Sequence, residues 1–308
     1  MRFPGSGENN TFIRKASHIP WDKFEETLNF LEGGIYQKAG YFLEFLEERK
    51  IEKSNEQIAV IRFIKNEVLK ILKHYSAKQV DLEIDRIYIV NDKIFERLDI
   101  DPVPGMSFSL RNIVMINTEE KLGNTALASV LAHELFHQFS FEKGLMTAKA
   151  ADQEGPIIRE RSGLSVVINN DVDNRYLKNL DEAITTELEF QVMKKVKNHD
   201  LFRGDYEIIK KEFDKDRAQE AVDLIYSIDE NGDVLYLYST PYREQRANLK
   251  KVINDIFEFN QDKFSTAEEI FDIFVKAYFD GNIIPITRLL KKTYGNRPIK
   301  EIIQEVGL

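Results

Sequence analysis

One stretch, Ala132-His133-Glu134-Leu135-Phe136-His137-Gln138, constrains this chain more than any other. It lies in a run, 125–141, whose only ionisable groups are His133, Glu134 and His137. A run so apolar on every side predicts a central, buried helix over 124–142, closed by Gly144. On a helix, residues four apart lie on one face, one turn above the other. Two imidazoles placed that way can grip a single metal ion, zinc being the usual choice for such a pair. Glu134 sits at the edge of the same face, where it can take a proton from a water that the ion acidifies. A buried charge needs a partner, so two histidines and a glutamate in an otherwise uncharged helix read as a site rather than as core.

Catalytic zinc keeps three protein ligands and an open fourth position. The chain contains no cysteine, so the third ligand must be His, Asp or Glu. The segment Asn179-Leu180-Asp181-Glu182-Ala183-Ile184-Thr185-Thr186-Glu187-Leu188 opens a second helix. Leu180, Ala183, Ile184, Leu188 and Val192 form its apolar stripe, and Glu182 lies beside that stripe near the helix start. Taken alone, Glu182 reads as a first-turn glutamate favoured by the helix dipole.

Together, HELFH and the downstream DEAIT resemble the gluzincin metallopeptidases, the thermolysin-like branch of the zincins, over 84–199. The resemblance implies an α+β fold with a zincin-like core, in which a mixed sheet backs the active-site helix. It implies His133, His137 and Glu182 as zinc ligands and Glu134 as general base. Gly105-Met106-Ser107-Phe108-Ser109 and the following 112–117 are similar to the edge strand and adjoining strand that precede the site helix in that family. A substrate peptide can pair with such an edge. Two departures stand out. The segment between His137 and Glu182 is longer than in better-known members, so an insertion should fold there and border the cleft. The family often carries an acid four residues after the ligand glutamate, and here that place holds Thr186, with Glu187 one later. A ligand histidine wants an outer acceptor; Thr186 is a weak one and Glu187 points elsewhere on the helix.

The rest of the chain divides into an N-terminal helical region (1–80), the core (81–200) and a mostly helical C-terminal subdomain (201–308). Helices are expected over 21–31, 36–48 and 55–75, the last opened by a capping box of Ser54 and Gln57. Strands are expected over 84–90, 106–109 and 112–117, and strand material at 157–162 and 164–168 flanks Gly163. A polar loop is expected over 147–155 and a turn over 169–174. Further strands at 225–228 and 234–238 flank a turn signal, and a helix follows from 241 to 257. A capping box of Ser265 and Glu268 opens another helix, and two short ones fill 286–305. His18, His74 and His199 are lone histidines without an assigned role. Arg159 and Arg161 read as a solvated strand face rather than as carboxylate binders.

Amide hydrolysis passes through an oxyanion, which a tyrosine hydroxyl or a histidine commonly stabilises. With His199 the only histidine downstream, Tyr238 and Tyr242 become the candidates, with packing as the competing role; Arg243 beside them reads as a structural pair. Net charge is −9 with no basic stripe, which argues against nucleic acid as a partner. No apolar run reaches the length of a membrane span, and Met1–Asn10 lacks the apolar segment of a signal peptide, so a cytoplasmic protein is expected. The expected function is zinc-dependent peptide-bond hydrolysis on a peptide or protein substrate. The absence of a GxMEN-type aminopeptidase motif points to an endopeptidase. The alternative is an inactive binding protein that keeps the zincin fold and its zinc.

Overall fold

The structure, a computed structural model, describes residues 46–76, 82–98, 103–108, 112–117, 123–146, 157–168, 171–218, 226–228, 234–236 and 242–308. The helices expected over 21–31 and most of 36–48, the loop over 147–155, and Tyr238 lie outside these residues. Within them the fold is α+β: helices predominate around a small mixed sheet. Among the described residues, no helix is long and apolar enough to cross a membrane.

Helix α1 (Asn55–Tyr75) begins as the capping box requires, with Ser54 Oγ accepting from the Gln57 amide and the Gln57 side chain accepting from the Ser54 amide. Its stripe of Val60, Ile61, Ile64, Val68 and Leu72 is buried. Strand β1 (Ile87–Val90) is followed by helix α2 (Asp92–Leu98), then β2 (Gly105–Phe108) and β3 (Ile113–Asn117). The sheet order is β1-β3-β2, with β1 parallel and β2 antiparallel to β3, so among the described residues β2 is an edge. In β3, Val114 and Ile116 join the main helical core, while Ile113 and Met115 join a second cluster with Tyr88, Val90 and Phe95. A central strand covered on both faces reads as an unbroken apolar run, which is what Ile-Val-Met-Ile is.

Helix α3 (Asn124–Phe139) packs against β2, β3 and α1 on its way through the core. It ends at Phe139, before the expected 142, because 142–146 is strand β4 (Glu142–Met146), paired with β5 (Ile157–Ser162). Gly144 therefore sits in a strand and closes no helix. Gly123, the residue before α3, offers no side-chain cap; Asp205 supplies one from outside, accepting from the Thr125 amide at 2.7 Å.

The insertion is a four-stranded antiparallel sheet in the order β4-β5-β6-β7, with β6 at Ser165–Ile168 and β7 at Asp171–Tyr176. The expected turn over 169–174 is thus largely strand: Ile168 faces Asp171, so only two residues make the connection. The strand material expected on either side of Gly163 forms a hairpin. Helix α4 (Lys178–Val196) follows and lies along α3. Then come α5 (Arg203–Ala218), the short hairpin of β8 (Tyr226–Ile228) and β9 (Val234–Tyr236), and α6 (Arg243–Phe259), which packs on α4. Helices α7 (Ala267–Asp280), α8 (Ile284–Tyr294) and α9 (Ile299–Glu305) complete the fold. The cap of α7 is one residue later than expected: Thr266 accepts from the Glu269 amide, and the Glu269 carboxylate accepts from the Ser265 amide.

Candidate metal centre

Every residue of α3 from Thr125 to Phe139 is buried except His137, which marks where the helix meets a cleft. The floor of that cleft, about 300 Å³ in volume, is His133, Glu134, His137, Asp181 and Glu182. Val103, Gly105, Met106 and Ser107 form one wall; Ser162, Ser165 and Lys178 line it from the inserted sheet and the start of α4. Tyr242 reaches in from the start of α6.

Packing α4 against α3 brings Glu182 to the two imidazoles. Glu182 Oε2 lies 3.4 Å from His133 Nε2 and 3.3 Å from His137 Nε2, and the two Nε2 atoms are 3.1 Å apart. In tetrahedral coordination with bonds of ~2.0–2.1 Å, ligand atoms are separated by about 3.3 Å. The triangle therefore has the size of one face of such a tetrahedron. Its chemistry points the same way. His133 Nδ1 faces Glu189 Oε2 at 3.2 Å, and His137 Nδ1 faces Asp181 Oδ2 at 3.6 Å. In the tautomer that puts the ring N–H on Nδ1, facing these carboxylates, both Nε2 atoms present lone pairs, and they present them to a carboxylate oxygen. Glu182 Oε2 is buried with no aligned hydrogen-bond donor. Three converging lone pairs repel unless a cation or a proton lies among them, so the donor set fits a metal ion.

The titration behaviour of the side chains reflects the same crowding. Burial acts to lower the His133 pKa, but the Glu182 and Glu189 carboxylates outweigh it and hold it well above its ordinary value. His137 is raised in the same way against burial, chiefly by Glu182. Burial acts to raise Glu182, yet the two imidazoles hold it below the usual carboxylate range. Burial raises Glu134, opposed by His133 and His137 and by a hydrogen bond from the Ser107 side chain. Asp181 is pushed up to about 6 by burial, despite His137 beside it.

The outer acceptors were the part of the site that sequence reasoning missed. Thr186 Oγ1 donates to the Glu182 carbonyl, and Glu187 pairs with Arg246 and Lys250, away from the cleft. The partner of His133 is Glu189, which is fully buried and also accepts from Ser129 Oγ. A signal for it existed: seven residues after Glu182 is two helical turns, so Glu189 returns to the ligand face. Asp181, directly before Glu182, holds its place by accepting from the Leu164 and Ser165 amides of the inserted hairpin. Thr185 Oγ1 donates to the Asp181 carbonyl and meets Tyr278 Oη at 3.0 Å.

Tyr242 stacks parallel to the His133 ring, with centroids 6.2 Å apart, and lines the cleft. Burial, with Glu182 and Glu134, pushes its hydroxyl up to about 12, so it stays a proton donor at neutral pH. Of the two tyrosines considered from sequence, Tyr242 is thus at the site and Tyr238 lies outside the described residues. The side chains of Arg159 and Arg161 also lie outside them, and Arg243 is exposed. His199 caps the turn at Asp200–Phe202 and packs on Phe63, and His74 packs edge-on against Tyr75. Searches of protein-family models, of curated proteins and of solved structures found no match to this chain.

Proposed function

We propose that this protein is a zinc-dependent peptidase of the gluzincin type, cutting internal bonds of peptide or protein substrates. The observation that carries this reading is the arrangement on the cleft floor: three donor atoms at tetrahedral-edge separations, with an unligated buried carboxylate, Glu134, on the same helix face. His133, His137 and Glu182 would hold the ion. When bound, zinc supplies Lewis acidity, which polarises a carbonyl and acidifies water.

The chain's own groups do the rest. Glu134 takes a proton from the attacking water and passes it to the departing amine, a role suited to a carboxyl whose pKa burial has raised. Ser107, on strand β2, lines the cleft together with that carboxylate. The Tyr242 hydroxyl, kept protonated, donates to the oxygen that gains negative charge. Glu189 and Asp181 fix the orientation of the two imidazoles. Among the described residues strand β2 has a partner on one side only, and its other edge, along one wall of the cleft, could take an extended peptide.

Glu134→Gln tests the reading. The variant should keep near-stoichiometric zinc and lose about 10²–10⁴-fold in kcat, the usual share of a general base. Cleavage of quenched peptides at the parent rate would remove Glu134 from the mechanism. Bound zinc with no turnover of any peptide, in the parent as in the variant, would instead favour the inactive binding protein.

A further inference from the structure

Among the described residues that line the cleft, the charged side chains of the floor are all acidic apart from the two histidines, and the one cation is Lys178. Its origin is topological. Strand β7 runs antiparallel to β6 with Tyr176 opposite Val166, so the chain passes back alongside Ser165 and delivers Lys178 as the first residue of α4. Lys178 thus stands on the inserted-sheet side of the cleft, whose lining also includes Ser162 and Ser165. It is exposed, and among the described residues no carboxylate pairs with it. The other wall, from Val103 to Ser107, contributes backbone and small or apolar side chains. Among the described lining residues, positive charge other than the histidines therefore stands on one side of the cleft only.

We infer that Lys178 is a specificity-determining residue, and that the cleft selects substrates carrying a carboxylate close to the scissile bond. This inference rests on the proposed peptidase reading and adds the substrate class. An ammonium pairs with a carboxylate through charge-assisted hydrogen bonds. The carboxylate has two sources in a peptide, a free C-terminus and an Asp or Glu side chain, and they call for separate probes. The competing role for Lys178 is to offset the acids of the floor. That role would change the binding of every ligand alike, whereas selection changes the ratio between charged and neutral ligands.

The test uses zinc-loaded full-length protein and peptides headed by a hydroxamate, which anchors at the metal without being cut. One pair ends in a free carboxylate or its amide; a second pair is amidated and carries Glu or Gln at the first residue after the anchor. Affinities are read by calorimetry. One charged member should bind about tenfold more tightly than its neutral twin, the scale of a single charge-assisted hydrogen bond. The pair that shows the difference identifies the source of the carboxylate. Lys178→Met should abolish the ratio while leaving the neutral member unchanged, and Lys178→Glu should invert it. Equal binding within both pairs, or a ratio that survives Lys178→Glu, overturns the inference, as does failure of every probe to bind. The proposed reaction is judged separately, by turnover of unmodified peptides. Charge-selective binding without turnover removes the peptidase and keeps the subsite; turnover without charge selection does the reverse.

Discussion

At the scale of single residues, the metal centre depends on groups that touch no ligand. Glu189 is fully buried between Ser129 and His133. Glu189→Gln keeps its shape but replaces a charged acceptor with a neutral one. Zinc affinity should fall about 10–100-fold, the usual cost of losing an outer acceptor, as measured by competition with a chromophoric chelator. Unchanged affinity would show that His133 needs no carboxylate behind it. Gly163 is the second sensitive position. Its φ of +55° is one that side-chain-bearing residues rarely adopt, and a Cβ there would lie 2.1 Å from Asp181 Oδ1 and 2.9 Å from Tyr278 Cε2. Gly163→Ala should lower stability by about 1–3 kcal/mol in urea unfolding. It should also weaken metal binding, because Asp181 is the carboxylate facing His137. Stability lost without a change in affinity would uncouple the hairpin from the site.

At the scale of elements, α6 is held to α4 by a clip placed one turn after Tyr242. Arg246 donates to Glu187 at 2.5 Å, and its guanidinium lies 3.8 Å from the centre of the Phe190 ring. Arg246→Met removes the charge pair and the stacked plane. Lys250, 3.3 Å from the same carboxylate, retains part of the attraction. A loss of about 1–3 kcal/mol is expected, together with reduced kcat as the Tyr242 end of α6 loosens. Tyr242→Phe gives the comparison: it should lower kcat alone, with the unfolding midpoint unchanged. A full-rate Tyr242→Phe variant would leave the oxyanion without this donor. Strand β2 is equally constrained by α3, since a Cβ on Gly105 would fall 2.5 Å from Val130 Cγ1 and 2.7 Å from Glu134 Cγ. Strand β2 can approach Glu134 this closely only because position 105 has no side chain.

For the whole molecule, the three donor residues come from two helices that also form the centre of the core, so occupancy of the site and stability of the fold are linked. Zinc at a thousandfold excess over its Kd should stabilise the native state by about 4 kcal/mol, seen as a rise in Tm that EDTA reverses. A Tm indifferent to both would mean that no ion binds there. An ion at this site would also compete with protons. His133 and His137 hold theirs above the ordinary value when only carboxylates face them. Metal affinity should therefore rise with pH through the range where they deprotonate, with proton release on binding. Calorimetry in buffers of different ionisation enthalpy measures that release.

The sequence by itself determined the elements that rest on local physics. The run through His133 had to be a buried helix because nothing in it favours water, and spacing alone put two imidazoles on one face. The Ser54–Gln57 box opened α1 at the residue that its chemistry dictates. Position beside an apolar stripe made Glu182 eligible as third ligand, but eligibility was all that local pattern could give. Convergence required α4 to lie along α3, a contact between distant segments that no periodicity encodes. The same holds for Glu189, Asp181 and Lys178. Each is an unremarkable charged residue on a helix until neighbouring elements decide which atoms it faces. Boundaries failed where tertiary pairing competed with helix extension, as at 142–146, where β4 pairs with β5 and takes the chain out of the helix. Local sequence fixes conformation through contacts a few residues apart; a site is made of contacts tens of residues apart, and only packing of the whole chain sets them.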